Sequence, residues 1–186
     1  MYLFGFGSLI NLASAQKSFK RVLTQNDLKP VKIKGYERVW NAIESIAFEE
    51  EIVNGVFLNI QKNKDSILDG VVIEISNEEL EVLKLREKNY GCIVIKSADV
   101  LDETINSDLI AFMTTNKDKI AFLGQKDSFI PKKYVEVVKE ALKNYDENFK
   151  KGFEKTFENY PFPLKEGFYT FTDPIQNKVA REGIKN

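Results

Sequence analysis

The sequence predicts an α+β fold: a twisted mixed sheet or small mixed β-barrel with peripheral helices. Two observations carry this. Strand-like runs recur along much of the chain with few regular helices between them, which argues against a doubly wound parallel sheet. Only two stretches read as extended helices, one opening at Ser76 and one over Lys132–Phe149. The 186 residues fit one domain, or one domain with an extension, and can bury a sizeable core.

Taken in order, Tyr2–Phe4 reads as a buried strand running into Gly5-Phe6-Gly7-Ser8. Glycine there allows a sharp turn or close backbone approach to a ligand, and both readings stand. Leu12–Val22 is a short helix or ordered loop. Val31–Trp40 is a strand broken at Gly35, and Ala42–Phe48 carries scattered apolar residues. Ile52–Ile60 is a strand interrupted at Asn54-Gly55, Lys62–Asp65 a polar turn, and Gly70–Ile75 a strand.

Ser76 stands three residues before Glu79, a capping-box arrangement that starts a helix running to about Lys88. Tyr90–Ile95 and Leu109–Thr114 are strands, with a hairpin or loop over Asp99–Asp108. Asn116–Ile130 reads as a long loop. In Lys132–Phe149, residues Tyr134, Val137, Val138, Ala141, Leu142 and Tyr145 recur at helical steps. Residues 1–150 form the body. Residues 151–186 are rich in aromatics and carry prolines, and are expected to pack on the same domain, since that many exposed rings would be a liability.

Composition excludes several chemistries. Net charge is −1, from 27 basic and 28 acidic residues, which gives no electrostatic reason to expect nucleic acid or a membrane surface as partner. No apolar stretch is long enough to span a bilayer, and the default location is cytoplasmic. The single cysteine, Cys92, permits no internal disulfide and reads as a buried structural thiol. There is no histidine, so Ser-His-Asp or Cys-His catalysis and imidazole-built zinc sites are ruled out within the chain. An acid–base group is then expected to be a carboxylate.

Gly5-Phe6-Gly7 does not continue into a dinucleotide fingerprint, because Ile10 stands where the third glycine is needed. No Gly-Lys-Ser or Gly-Lys-Thr follows, so a P-loop is excluded too. Glu87 lies four and seven residues after Leu83 and Leu80, on their helix face. A carboxylate so placed can be desolvated and suited to acid–base work. The competing reading, which spacing alone favours, is a surface glutamate at a helix end, paired with Arg86 or Lys88.

These features together resemble the γ-glutamylcyclotransferase-like superfamily. Phe4-Gly5-Phe6-Gly7-Ser8-Leu9 is similar to its N-terminal signature of alternating aromatic and glycine followed by serine. Lys34–Asn41, Asp69–Ser76 with Glu78-Glu79-Leu80, and the set Leu83, Arg86, Glu87, Tyr90 resemble later signatures in the same order, as do Gly124, Pro131 and Tyr134. The resemblance covers roughly the first three-quarters of the chain. Departures are Phe6 in a position often held by tyrosine, Lys84 in place of an aspartate, and Lys88 in place of a frequent glycine.

The resemblance implies the barrel fold and an enzyme releasing 5-oxoproline from a small γ-glutamyl amino acid, peptide such as glutathione, or amine. It implies Glu87 as general acid/base. Phe6, Gly7, Ser8 and Leu9 are implied to bind the γ-glutamyl group, with Tyr90 and Tyr134 completing the substrate site. No cofactor and no metal are implied, and the oligomeric state is left open. The alternative is a non-catalytic module that keeps the pocket for a small carboxylate ligand.

Overall fold

The computed structural model describes residues 1–102 and 104–184. Its strands are β1 (Tyr2–Gly5), β2 (Lys29–Phe48), β3 (Glu51–Glu74), β4 (Gly91–Ile95), β5 (Leu109–Met113), β6 (Ser128–Pro131), β7 (Leu164–Lys165) and β8 (Tyr169–Phe171). Its helices are α1 (Leu12–Gln16), α2 (Asn77–Arg86), α3 (Lys132–Leu142), α4 (Glu147–Phe157) and α5 (Pro174–Asn177).

The fold is α+β with a mixed sheet in the order β4-β5-β1-β3-β2-β8, and β6 pairs with both β3 and β7. β1 runs antiparallel to β3 and parallel to β5. The barrel expectation is corrected: the sheet is open. β4 at one edge and β8 at the other make no ladder with each other among the described residues. Instead α2, which precedes β4, packs on α5, which follows β8. Single bridges, Ile33 with Val100 and Ala42 with Ile120, touch the outer edge of β2.

β2 and β3 form one long antiparallel hairpin, longer than the broken runs expected from sequence. The break at Gly35 is a bulge. Gly35 takes φ +84°, a region that favours glycine, and the register slips between Lys34 and Tyr36. Opposite it, residues 63–66, which overlap the polar turn expected over Lys62–Asp65, fall outside the pairing register. Asn54-Gly55 does not interrupt β3; both residues pair with β2 on one side and β6 on the other.

The capping box forms as the spacing predicts: Ser76 Oγ accepts from Glu79 N–H, and the Glu79 carboxylate accepts from Ser76 N–H. The helix ends at Arg86, with Glu87 as its C-terminal cap. The single helix expected over Lys132–Phe149 is two helices. Asp146 accepts a hydrogen bond from Phe149 N–H and starts α4, whose Phe149, Phe153 and Phe157 form a buried stripe. Helix α4 therefore runs across residue 150, where the sequence reading starts the extension. Phe162 and Tyr169 beyond it are also buried in the common core.

Cys92 is exposed, not buried. On edge strand β4 it shares the outward parity of Val94, while Ile95 points into the core. Among the described residues, no helix is long and apolar enough to cross a membrane.

Candidate active site

The core opens into one large cavity of about 610 Å³, lined by the glycine-containing loop after β1, the end of α2, the start of α3 and the segment from β8 to Arg181. All seven site residues expected from sequence line it: Phe6, Gly7, Ser8, Leu9, Glu87, Tyr90 and Tyr134.

The loop is short because β1 ends at Gly5 and Ser8 already starts a 3-10 turn, closed by Ile10 N–H donating to Gly7 C=O. No side chain caps that turn. At Gly7 the chain needs glycine: a Cβ there would lie 2.6 Å from the Tyr134 hydroxyl. Tyr134 packs edge-on against Trp40 and Phe57, so its ring cannot readily retreat. Burial raises its phenol pKa, while the backbone of Ser8 acts on it as a hydrogen-bond partner. Phe6, the departure from the usual tyrosine, is buried and stacks near Phe4.

Two arginines fix the loop from outside. Arg38, on β2 and 3% exposed, donates to Phe6 C=O at 2.9 Å and to Asp69 C=O at 2.5 Å, with its guanidinium carbon 3.5 Å from the Phe153 ring centre. Arg86 is equally buried and sits on the cavity wall. It donates to Ser8 Oγ (3.1 Å), Ser14 Oγ (3.0 Å), Ser18 Oγ (3.1 Å) and Ser14 C=O (2.8 Å). Its Nε donates to Glu87 Oε1 at 3.0 Å. One guanidinium thus ties Glu87 to the serine of the glycine loop.

Glu87 is desolvated although 19% of its side chain is exposed. Burial raises its pKa, and the Arg86 charge and hydrogen bond pull the other way without cancelling the rise. Tyr90 turns its hydroxyl to Leu58 C=O at 3.0 Å, and burial holds its phenol well above the usual range. The cavity therefore combines a carboxylate of raised basicity, a loop with an uncapped turn and the phenols of Tyr90, Tyr134 and Tyr169.

Sequence reasoning missed three contributors. Arg86 was read as a partner for Glu87, yet its place three residues after Leu83 puts it on the buried face. Glu44 is 2% exposed and lines the cavity. The signal for it was parity: it follows Trp40 and Ala42 at two-residue steps on the inward face of β2. Gln176 comes from α5, which the sequence did not connect to the site. Asp173 caps α5 and pairs with Lys88, so a residue that departs from the family pattern anchors that wall. Among the described residues, no group of three or more Cys, Asp or Glu is arranged to hold a metal ion.

No family model and no curated protein matches this chain. Solved structures do. YkqA from Bacillus subtilis aligns at TM-score 0.64 and 18% identity over 89% of this chain. The alignment spans only 56% of YkqA. A γ-glutamyl cyclotransferase aligns at TM-score 0.63 and 10% identity, over 96% of this chain and 97% of that one. A yeast γ-glutamyl cyclotransferase specific to glutathione aligns at TM-score 0.52 and 14% identity, over 86% and 96%. The chain has the γ-glutamylcyclotransferase-like fold.

Proposed function

We propose that the protein is a γ-glutamyl cyclotransferase, with Glu87 as its general acid/base and a small γ-glutamyl amino acid, peptide or amine as substrate. The observation that carries this is the placement of Glu87 and the Gly7–Leu9 loop in one cavity, joined by the Arg86 guanidinium. The fold shared with γ-glutamyl cyclotransferases supports it.

The α-amine of the γ-glutamyl group attacks its own γ-carbonyl carbon. A new N–C bond closes the 5-oxoproline ring, and the bond from that carbon to the departing nitrogen breaks. Nucleophile and electrophile are tethered, so the site gains by fixing their geometry. Glu87 takes the proton that the α-amine must lose and returns it to the departing nitrogen, so the step is balanced without a co-reactant. Its raised pKa makes it a better base than a solvated glutamate. Backbone N–H groups of the Gly7–Leu9 loop hold the α-carboxylate or the developing oxyanion. Tyr134, against Gly7, limits how deeply the glutamyl unit enters.

The test is release of 5-oxoproline from γ-glutamyl peptides, glutathione and γ-glutamyl amines, with wild type and Glu87→Gln. Loss of about 100-fold or more in kcat for the variant, with its far-UV circular dichroism unchanged, is expected for a lost acid–base group. Activity that survives the substitution removes Glu87 from the reaction. Ligand binding with no release from any substrate establishes the binding-module alternative.

A further inference from the structure

The cyclisation uses Glu87 and leaves a second carboxylate of the same cavity without a task. Glu44 occupies an inward position of β2, between Ala42 and Ile46, where an apolar residue would ordinarily stand. Its Oε2 accepts from Asn89 Nδ2 at 2.5 Å, and the Gln176 amide lies beside it. Its Oε1 is buried and has no hydrogen-bond partner among the described residues.

Among the described residues no cation forms an ion pair with it. Among the described residues, the charged and titratable groups that act on Glu44 are Glu87, of the same sign, the Tyr90 phenol, and Lys119, which makes no ion pair with it. Arg86, the buried cation on the cavity wall, is committed to Glu87 and three serines. A buried carboxylate oxygen without a partner is costly to keep, so its natural complement is a group that brings positive charge and N–H donors. A primary ammonium does both.

The position of Glu44 indicates which end of a substrate it meets. Glu87 is tied to the glycine loop through Arg86. Glu44 is framed by β2, by Asn89 and by Gln176 of α5, none of them from that loop. With the γ-glutamyl unit at the loop, the part of the same cavity that Glu44 lines is left for the departing amine. We propose that Glu44, with Asn89 and Gln176, forms a cation subsite that takes a primary ammonium on the departing amine, so that γ-glutamyl conjugates of diamines are the preferred substrates. This rests on the cyclotransferase reading and deepens it.

The test uses γ-glutamyl conjugates of butylamine, 1,4-diaminobutane and 4-aminobutanoate, which differ in the far end of the leaving group. Wild type should show kcat/KM for the diamine conjugate about 10-fold or more above the butylamine conjugate, as a charged hydrogen bond provides. In Glu44→Gln that ratio should fall toward one. Equal rates on all three conjugates, or preference for the carboxylate, would overturn the proposal. So would a uniform loss in Glu44→Gln with the ratio kept, because Glu44 would then meet the α-ammonium common to all three. If no conjugate yields 5-oxoproline, the cyclotransferase reading fails separately. Calorimetry with free 1,4-diaminobutane then decides the subsite: binding to wild type that is lost in Glu44→Gln supports it, and no difference between the two proteins overturns it.

Discussion

Replacing Glu44 by glutamine should stabilise the empty protein above neutral pH and do almost nothing in acid. Burial, with a smaller push from the Glu87 charge, raises the Glu44 pKa from 4.5 to about 7, and the Asn89 hydrogen bond, Lys119 and the nearby Gln176 amide only partly oppose this. The folded state therefore holds the Glu44 proton more tightly than the unfolded chain does. Its contribution is fully present below pH 4.5 and is lost as pH rises through about 7. At about 1.4 kcal/mol per pKa unit, the loss approaches about 3 kcal/mol at pH 8. Glutamine is a neutral near-isostere that can still accept from Asn89, so it does not suffer this loss. Glu87 titrates in both proteins and largely cancels in the comparison. Denaturant midpoints for wild type and Glu44→Gln, measured from pH 4 to pH 8 at constant m-value, give the difference directly. A gap that opens between pH 4.5 and 7 is expected. A gap that is independent of pH, or a variant less stable than wild type at pH 8, would refute the reasoning that Glu44 is a desolvated, uncompensated carboxylate.

Arg86→Met should cost about 3–5 kcal/mol in urea unfolding, because it strips a buried cation from Glu87 and from the hydroxyls of Ser8, Ser14 and Ser18; it should also raise the Glu87 pKa further, read as an upward shift of the Glu87 carboxyl titration by carbon-13 NMR. Gly7→Ala places a methyl 2.6 Å from the Tyr134 hydroxyl, so it should destabilise the fold by about 1–3 kcal/mol. Adding Tyr134→Phe should recover part of that cost, and a double-mutant cycle with no coupling would show that the two do not meet. Asp146→Ala removes the cap of α4 and should cost about 1 kcal/mol by thermal denaturation.

Much of the site was readable along the chain because its signals are local. The serine–glutamate pair that starts α2 is a three-residue spacing, and the leucine face that carries Glu87 inward is a four- and seven-residue one. The loop around Gly7 announces itself by composition. The helix break at Asp146 was equally local but was masked, since Ala141, Leu142 and Tyr145 continue a helical rhythm to the cap. The exposed position of Cys92 was not readable, because an edge strand and a covered one share the same alternation until their neighbours are known.

The sequence by itself determined the α+β class, the cap of α2 and the glycine loop, through backbone preferences and periodicities that act over a few residues, whereas Glu87 was singled out by the family resemblance against the surface position that spacing alone favours. Only the tertiary structure decided that the sheet stays open, that α5 walls the cavity, and that Arg86 and Glu44 belong to it. Those outcomes depend on pairings between residues far apart in the chain. A charged residue reads as a solvated one until the fold shows which face is covered, and at Glu44 the covering elements are Asn89 and Gln176, one near the middle of the chain and one near its end.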